Sequence, residues 1–552
     1  MKLHIEPFRE SHQSALERAN SQAWLERLQQ RDHTLWRSDP AGIADRLGWL
    51  DAPENYEAHL DELESFARSC SREGFRRVLL LGMGGSTLAP EVFRDIFGVS
   101  RGCPDLRLLD STHPGAVLAA GEWAEAEQTL FISATKSGGT VETLSFTKHF
   151  YRRLVSSLGE EDAGRRFIAI TDRDSGLHRL AESLGFRRIF LNDPDIGGRY
   201  SALSFFGLVP AALIGVDIRS LLSRARPAKD DPASLQLAVL LSAMARLGRD
   251  KLTFSISSSL APFGAWAEQL VAESTGKQGI GIVPVIGEPE LPAGRYNADR
   301  LFVFMSTEEE GGDRERIEVL AAAGHPVVEI ELNDCLDLGA EMYRWETATA
   351  LAGAGLGINP FDQPDVEAAK KLAREKVDRY RQEGDLGKTE PVLWGEGLSA
   401  YGEAEGSAPV EAWVNFLKRA GETPGSYLAL QAFLQPGSEI DTGLAQLRRR
   451  IGLKWGMATT AGYGPRFLHS TGQLHKGDSG TGFFLQMTES PEIDCPIPDE
   501  SGSDASSVTF GVLLSAQAMG DRGALESAGR RVLRLDFEYS AGGIKRLLRA
   551  LE

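Results

Sequence analysis

Cysteine is scarce in this chain of 552 residues, which holds only four. They are scattered along the sequence, at Cys70, Cys103, Cys335 and Cys495. A disulfide framework and a zinc site both need closely spaced cysteines, and no CxxC pair is present, so the spacing argues against both. Histidines do not replace them, because His469 and His475 lack the i, i+4 spacing that places two ligands on one helix face. We predict no metal and no cofactor.

Long hydrophobic runs are also absent. The longest uncharged run, from Tyr200 to Val216, contains three hydroxyl side chains and Pro210. It is shorter than the roughly 18 to 20 apolar residues that a membrane-spanning helix needs. The N-terminal segment MKLHIEPFRE carries charges where a signal peptide has an apolar stretch. We therefore expect a cytoplasmic protein that has no membrane partner.

The chain has no excess of positive charge, since 60 Lys and Arg face 78 Asp and Glu for a net charge of −18. Such an acidic surface repels nucleic acid backbones and anionic lipids. We therefore expect no nucleic acid partner. An anionic ligand would have to be bound by a local cluster of donors.

Short apolar runs alternate with helical stretches in the first half of the chain. The sequence over 1–50 has the pattern of amphipathic helices. Five apolar runs follow between 76 and 193, and each ends in Gly, Ala, Thr or Asp: RVLLLG, LRLLD, QTLFISA, RFIAIT and RRIFLND. Strands that alternate with helices indicate βαβ units and a parallel sheet.

A second series of such units follows a polar, proline-containing stretch, RARPAKDDPAS (224–234). It begins with KLTFSIS, GIGIVPVIG, RLFVFMS and HPVVEIEL, and later strand candidates are SYLALQAFL, TGFFLQMT and RVLRLDFEY. We predict an N-terminal helical arm over 1–50, an α/β domain over 51–225 and a second over 226–552. The last strands are interpreted as additions to this second domain.

Two glycine-containing turns follow predicted strands, where a parallel sheet presents its ligands. In LGMGGSTLAP (81–90), Gly85 and Ser86 offer backbone amides and a hydroxyl near a helix N-terminus, although a turn for tight packing explains the glycines equally well. ATKSGGTVET (134–143) combines hydroxyls, a cation and bare backbone in Thr135, Lys136, Ser137 and Thr140. This turn suits one phosphate monoester and lacks the spacing of a triphosphate loop. The alternative is a polar helix cap.

A third segment, DIGGRYSALSFFGLVP (195–210), has two glycines that project Arg199 before an apolar helix. An arginine there could stabilise a developing oxyanion. Alone, it would be interpreted as a surface arginine at a helix entrance.

Together these segments resemble the phosphoglucose isomerase (glucose-6-phosphate isomerase) family, whose two sugar-isomerase (SIS) domains use a Gly-Gly-Ser turn, a Ser-Lys-Thr-type phosphate loop and a Gly-Gly-Arg-Tyr-Ser segment. Three further stretches are similar to motifs of that family: AESTGKQGIG (272–281), FDQPDVEAAK (361–370) and FLHSTGQ (467–473). The resemblance implies an α/β fold with two SIS-type αβα sandwich domains and parallel sheets, extended by the N-terminal arm and a C-terminal extension.

More narrowly, the text GPRFLHSTGQLHKG is similar to the isomerase half of fused transaldolase/glucose-6-phosphate isomerase proteins, although no transaldolase barrel is present in this sequence. In ordinary members the histidine precedes the lysine helix, whereas here Lys370 precedes His469. The resemblance implies a functional link to transaldolase. It also allows a homodimer, because family members often borrow a residue across a dimer interface.

The resemblance implies roles for particular residues. Glu273 would be the base that moves a proton between C2 and C1, and Arg199 would lie near the enediolate oxygens. His469 would open the sugar ring, with His475 as its rival, and Lys370 would assist at the ring end. The phosphate would be bound by Gly85, Ser86, Thr135, Lys136, Ser137, Thr140 and Gln363. On the residues alone, Glu273 would be interpreted as a surface residue near a helix end.

Gln363 and Lys370 are seven residues apart, which predicts that both lie on one face of a helix begun by Asp362 and Pro364.

The reaction that the resemblance implies is the interconversion of glucose 6-phosphate and fructose 6-phosphate through a cis-enediolate, in glycolysis and gluconeogenesis. Two alternatives stay open: isomerisation of another sugar phosphate such as mannose 6-phosphate, and a sugar-phosphate sensor built from SIS domains. A nucleotide-dependent kinase or dehydrogenase is disfavoured, because neither a Walker loop nor a convincing GxGxxG is present.

Overall fold

In the computed structural model, which describes residues 1–387 and 389–552, the strands assemble into three large β-sheets and a small two-stranded one. The strands are β1 (Lys2–His4), β2 (Arg77–Gly82), β3 (Asp105–Leu109), β4 (Thr129–Ala134), β5 (Phe167–Thr171), β6 (Arg188–Leu191), β7 (Lys251–Ile256), β8 (Val283–Val285), β9 (Arg300–Thr307), β10 (Val327–Leu332), β11 (Leu393–Gly395), β12 (Leu398–Gly402), β13 (Tyr427–Phe433), β14 (Ala458–Tyr463), β15 (Gly482–Glu489), β16 (Pro496–Ile497), β17 (Val508–Thr509) and β18 (Arg531–Phe537).

Helices connect most of these strands and cover the sheets. They are α1 (Arg9–Ser21), α2 (Trp24–Gln29), α3 (Ala52–Asn55), α4 (Leu60–Arg72), α5 (Leu88–Phe97), α6 (Pro114–Trp123), α7 (Val141–Leu158), α8 (Glu160–Arg165), α9 (Gly176–Ser183), α10 (Phe205–Leu213), α11 (Ile218–Ala225), α12 (Pro232–Arg246), α13 (Phe263–Thr275), α14 (Arg314–Ala322), α15 (Leu338–Leu356), α16 (Val366–Glu383), α17 (Pro409–Glu422), α18 (Ser438–Trp455), α19 (Gly472–Gly477), α20 (Phe510–Ser527) and α21 (Ser540–Arg549).

The first sheet has the order β3-β2-β4-β5-β6 with all neighbours parallel. Its central strands β4 and β5 are buried along their whole length. Parallel strands covered by helices on both faces have such continuous apolar sequences. The predicted α/β fold with parallel sheets is therefore confirmed here.

The second sheet has the order β1-β10-β9-β7-β8, and β1 is its one antiparallel strand among the described residues. Strand β1 lies at the start of the predicted helical arm and pairs with β10, with Lys2 opposite Glu329. Helices α1 and α2 follow it. The arm is therefore not purely helical, because its first residues complete a sheet edge.

The third sheet has the order β11-β12-β18-β15-β13-β14 and contains the last predicted strands. They are not added to the sheet of the second predicted domain, because β13, β14, β15 and β18 pair with one another in parallel. They surround an apolar core of their own that includes Trp413, Phe416 and Leu485. The boundaries 1–50, 51–225 and 226–552 stay a prediction.

The first two sheets share one hydrophobic core. It joins Leu80 and Ile132 of the first sheet to Leu252 and Val303 of the second. Helices α10, α12, α13 and α15 contribute buried residues to it. The polar stretch 224–234 therefore does not separate two independent cores.

The segment between β15 and α20 contains the small antiparallel pair of β16 and β17. It lies against α7, where the His149 imidazole contacts the Pro496 carbonyl oxygen at 3.1 Å. Ile497 and Val508 of this pair are buried. In the described part of the chain, no helix is both long and apolar enough to span a bilayer.

Candidate active site

All eleven predicted site residues line one cavity of about 1200 Å³. Its walls also include residues of the N-terminal arm, of α16 and of the C-terminal part of the chain. The predicted residues in it are Gly85, Ser86, Thr135, Lys136, Ser137, Thr140, Arg199, Glu273, Gln363, Lys370 and His469. Segments far apart in the sequence therefore meet at one site.

Two glycine turns touch each other at the floor of this site. Gly84 has a φ of +53°, and the turn Gly84–Ser86 follows β2 directly. A Cβ atom on Gly85 would overlap the carbonyl oxygen of Gly198. The Gly-Gly-Ser turn and the turn that carries Arg199 can approach this closely only because glycine stands at position 85.

The turn between β4 and α7 gathers the predicted phosphate-binding hydroxyls. Thr135 Oγ1 and Thr140 Oγ1 lie 2.8 Å apart, and Ser137 Oγ accepts a hydrogen bond from the Gly139 amide at 3.3 Å. Thr140 stands at the N-cap of α7, yet its side chain does not cap the helix. Lys136 Nζ donates to Asp172 Oδ2 at 2.5 Å and to a main-chain carbonyl at 2.6 Å. The alternative of a simple polar helix cap is therefore not what this turn forms.

Arg199 and Glu273 form a buried ion pair in the cavity wall. Arg199 Nη1 lies 3.2 Å from Glu273 Oε1, and their side chains are 5% and 10% exposed. Glu273 lies in the last turn of α13, and Gln269, one turn earlier, donates to its Oε2 at 3.2 Å. Glu273 is therefore not the surface residue that its position near a helix end indicated.

The Arg199 guanidinium is held on several sides. Nε donates to Ser274 Oγ at 2.9 Å, and Nη2 donates to the carbonyl oxygens of Pro360 and Asp362 at 2.7 and 3.0 Å. Nη1 also donates to Gln363 Oε1 at 3.2 Å. A guanidinium fixed in this way presents a positive charge at a defined place.

Lys277, two residues after the end of α13, is a buried cation. Its Nζ donates to the carbonyl and the carboxylate of Asp362, at 2.5 and 2.9 Å. Burial lowers the pKa of the Lys277 ammonium to about 8, and the nearby charge of Arg199 acts in the same direction. Lys277 and Arg199 together hold the segment that leads into α16.

The prediction that Gln363 and Lys370 share a helix is wrong. Helix α16 begins at Val366, after Asp365, and Gln363 lies in the preceding loop. Pro364 disfavours helical geometry at the residue before it, and Arg199 and Lys277 both donate to the Asp362 carbonyl oxygen of the same loop. Lys370 is on α16, where its Nζ pairs with Glu367 at 3.0 Å and its side chain is 41% exposed.

His469 lies in the turn Arg466–His469 and bonds to a buried carboxylate. Its Nε2 is 2.9 Å from Oε1 of Glu142 on α7. Burial alone would raise the pKa of Glu142, but the charge and hydrogen bond of His469 outweigh it and hold that pKa below its ordinary value. Gln517 of α20 donates to the same oxygen at 2.6 Å.

His475, the rival of His469, is not among the cavity-lining residues. It is buried in α19, where its Nδ1 lies 3.2 Å from Gln431 Nε2 and its ring packs against Phe484. Burial lowers the pKa of His475 well below its ordinary range. Of the two histidines, only His469 lines the cavity.

Several further polar residues at the site escaped the sequence reasoning: Gln269, Glu142, Gln517 and Lys476. Gln269 could have been found from its i, i+4 spacing to Glu273 on one helix. Lys476 Nζ is buried and donates to Asp521 Oδ1 of α20 at 2.6 Å. No local motif identifies Gln517 or Asp521, since both depend on how α20 packs.

A cluster of acids surrounds Arg466 beside the His469 turn. Arg466 Nη1 lies 3.1 Å from Asp110 Oδ2 and also donates to Glu91. Glu268 of α13 faces the same charge and lies 3.5 Å from Ser470 Oγ. Burial raises the pKa of Glu268 to about 7, although the charge of Arg466 opposes this shift.

We expect Glu268→Gln to stabilise the protein, and more so at pH 8 than at pH 5. An acid whose pKa is raised on folding binds its proton in the native state between its ordinary pKa and about 7. Native stability therefore falls as the pH rises through that window. The advantage of the variant in unfolding free energy should grow by about 2 kcal/mol between pH 5 and pH 8.

Urea unfolding of both proteins at the two pH values measures this difference. Glu331→Gln, at an exposed position of β10, serves as the control and should show no such change. A variant that loses stability relative to the parent protein as the pH rises would contradict this role of Glu268.

No group of three or more His, Cys, Asp or Glu side chains in the described residues is placed to hold a metal ion.

Comparisons with known proteins identify the family of this chain. The family model for phosphoglucose isomerase matches residues 54–278. A glucose-6-phosphate isomerase from Lactobacillus gasseri is 30% identical over 399 residues, which cover 62% of this chain and 88% of that protein. One from Carboxydothermus hydrogenoformans is 29% identical over 423 residues, covering 62% and 89%.

Two solved structures share the fold. A hypothetical protein from Thermus thermophilus has a TM-score of 0.58 and 27% identity, covering 68% of this chain and 99% of that one. A glucose-6-phosphate isomerase from Chlamydia trachomatis has a TM-score of 0.55 at 17% identity, covering 67% and 85%, and its likeness is one of fold alone.

The family model and the glucose-6-phosphate isomerase relatives place this protein, with its parallel sheets and polar cavity, among the sugar isomerases. Within that class, the chain belongs to the phosphoglucose isomerase family. The family match ends at residue 278, so Gln363, Lys370 and His469 lie beyond it.

Proposed function

We propose that this protein interconverts glucose 6-phosphate and fructose 6-phosphate through a cis-enediolate. The observation that carries the proposal is the Glu273–Arg199 pair, buried in the wall of a cavity that also holds the hydroxyl-rich β4–α7 turn and His469. A base, a fixed cation, an anion-binding turn and an imidazole are the groups that this chemistry needs. A sensor that only binds the sugar phosphate needs just the turn.

The isomerisation step moves a proton between C2 and C1 of the open-chain sugar. The Glu273 carboxylate accepts it from one carbon and returns it to the other, while Gln269 orients one carboxylate oxygen. The negative charge that develops on the enediolate oxygens faces Arg199. Because its partners already fix the guanidinium, it stabilises this charge without reorganising.

Phosphate binding is assigned to the β4–α7 turn and the Gly-Gly-Ser turn. Their contributors are Gly85, Ser86, Thr135, Lys136, Ser137 and Thr140, with Gln363 beside Arg199 as a further contact. Hydroxyl and backbone N–H groups bind a phosphate oxygen by direct hydrogen bonds. The Lys136 ammonium forms an ion pair with Asp172, so it lies beside the phosphate-binding hydroxyls with part of its charge already compensated.

Ring opening is assigned to His469. A carboxylate on Nε2 fixes the proton there, which leaves Nδ1 to exchange a proton with the ring oxygen or the anomeric hydroxyl. Lys370 would assist at the ring end from the exposed side of the cavity. His475 is given no role, because it lies behind the cavity wall.

The test is an assay in which fructose 6-phosphate is supplied and glucose 6-phosphate is detected by a coupled dehydrogenase. We expect turnover with this substrate pair and a much lower kcat/KM with mannose 6-phosphate, measured in parallel. Preferential turnover of mannose 6-phosphate would replace the substrate assignment. Binding of sugar phosphates without any turnover would support the sensor.

A homodimer and a link to transaldolase remain part of this proposal. Size-exclusion chromatography with light scattering decides the first. An isomerase acting on this pair would serve glycolysis and gluconeogenesis.

A further inference from the structure

Helix α20 places an amide against the carboxylate that holds His469. Gln517 Nε2 donates to Glu142 Oε1 at 2.6 Å, and His469 Nε2 lies 2.9 Å from the same oxygen. Gln517 and Glu142 are each 6% exposed. One carboxylate oxygen therefore receives two N–H groups in a site from which water is largely excluded.

A third residue binds the oxygen of the Gln517 amide. The hydroxyl of Thr112, in the segment after β3, donates to Gln517 Oε1 at 2.8 Å. Thr112 is completely buried. Because an ionised carboxylate can only accept, the NH₂ group of Gln517 faces Glu142, and the Thr112 hydroxyl holds the amide oxygen at the other end. The reversed amide would place two oxygens against each other.

We propose that Gln517, oriented by Thr112, is a positioning residue that keeps Glu142 ionised and thereby keeps the proton of His469 on Nε2. The kinetic part of this inference rests on the proposed function. Gln517 does not need to touch the substrate for this role. It acts through Glu142, because a hydrogen bond to the charged form of a carboxylate favours that form.

The chemistry explains why the amide matters. If Glu142 took up a proton, it would accept the His469 N–H more weakly and could itself donate to the ring, so the contact that sets the imidazole tautomer would be weakened. Glu142 is buried, and burial alone favours its protonated form. A second N–H donor on the same oxygen opposes that protonation. Gln517 lies in α20, well beyond the segment that matches the family model.

The test compares Gln517→Met, which keeps the length of the side chain and removes the amide, with the parent protein. We expect kcat to fall by about ten- to a hundredfold, as for loss of a hydrogen bond to a charged group. KM for fructose 6-phosphate should stay within about twofold, since no substrate contact is removed. The acid limb of the pH–rate profile should move to higher pH, because Glu142 then protonates more easily.

Two further substitutions separate positioning from packing. Thr112→Val should change kcat and the acid limb in the same direction, and Thr112→Ser should restore both. Gln486 is the matched control, since it is also buried and its Nε2 donates to the Ala518 carbonyl oxygen of α20 at 3.1 Å. Gln486→Met should lower the melting temperature and leave the acid limb in place.

A readout independent of turnover is the imidazole ¹⁵N chemical shift of His469, assigned with His469→Asn. In the parent protein and in Gln486→Met it should report a proton on Nε2, and in Gln517→Met a mixture of tautomers. An unchanged acid limb and unchanged shifts in Gln517→Met would overturn the inference. If that variant fails to fold, the same result in Thr112→Val would overturn it. If the parent protein turns over no hexose phosphate, the proposed function fails and the shifts alone decide about Gln517.

Discussion

Glu273→Gln is expected to lower kcat for the conversion of fructose 6-phosphate by about a thousandfold, within the range that one general base supplies. The amide cannot accept the proton from C2 or C1. It has the same size as the carboxylate and can still accept the hydrogen bond from Gln269, so the fold and substrate binding should persist. The coupled assay gives kcat, and calorimetric titration with fructose 6-phosphate gives the dissociation constant.

Glu331→Gln makes the same chemical change at an exposed position of β10 and should keep kcat within about twofold. Deuterium exchange at C1 or C2 during turnover in D₂O offers a second measurement, which Glu273→Gln should suppress together with turnover. A variant that retains a tenth or more of the parental kcat would exclude Glu273 as the base.

Arg199→Lys is expected to reduce kcat by about a hundred- to a thousandfold, the effect of removing one oxyanion donor. Lysine keeps the charge but has a single ammonium group. That group cannot reach Ser274, the carbonyl oxygens of Pro360 and Asp362, and Glu273 at once. Arg199→Leu should also lower the unfolding free energy by about 3 to 5 kcal/mol, because it leaves the buried carboxylate of Glu273 without its cation.

Arg246→Lys is the matched control, since that guanidinium bonds only to the Gly355 carbonyl oxygen among the described residues. It should leave kcat nearly unchanged. Urea unfolding and the coupled assay on all three variants separate the two effects. Arg199→Lys with kcat within threefold of the parent would show that the enediolate charge is stabilised elsewhere.

Much of the fold could be predicted because many of its strands can be recognised from their own local sequence. Strands such as β4 and β5 are apolar along their whole length, and polar turns end them, which is the pattern of a buried parallel sheet. The order of the last strands had no such signal. Whether β13 joins the second sheet or starts a third depends on packing between distant segments.

The candidate site shows the same division. Residues in strand-end turns, such as Ser86 and Thr135, were predicted because their residue types and places point to anion binding. Gln363 was misplaced on a helix, since the sequence does not show that Arg199 and Lys277 hold its loop. The place of Gln517 at the site could not be predicted, because nothing in the local sequence of a helix shows which distant residues a glutamine side chain contacts.

The bonds from Gln517 to Thr112 and Glu142 span 405 and 375 residues of chain. Contacts of such long sequence separation close large loops and form late in folding. Ribosomes make the chain from its N-terminus at about 5 to 20 residues per second, so the β4–α7 turn is complete well before α20 exists. In a nascent chain the residues of the phosphate-binding turn thus exist before the helix that carries Gln517, so the last segment to be made completes the hydrogen bonds around Glu142 and His469.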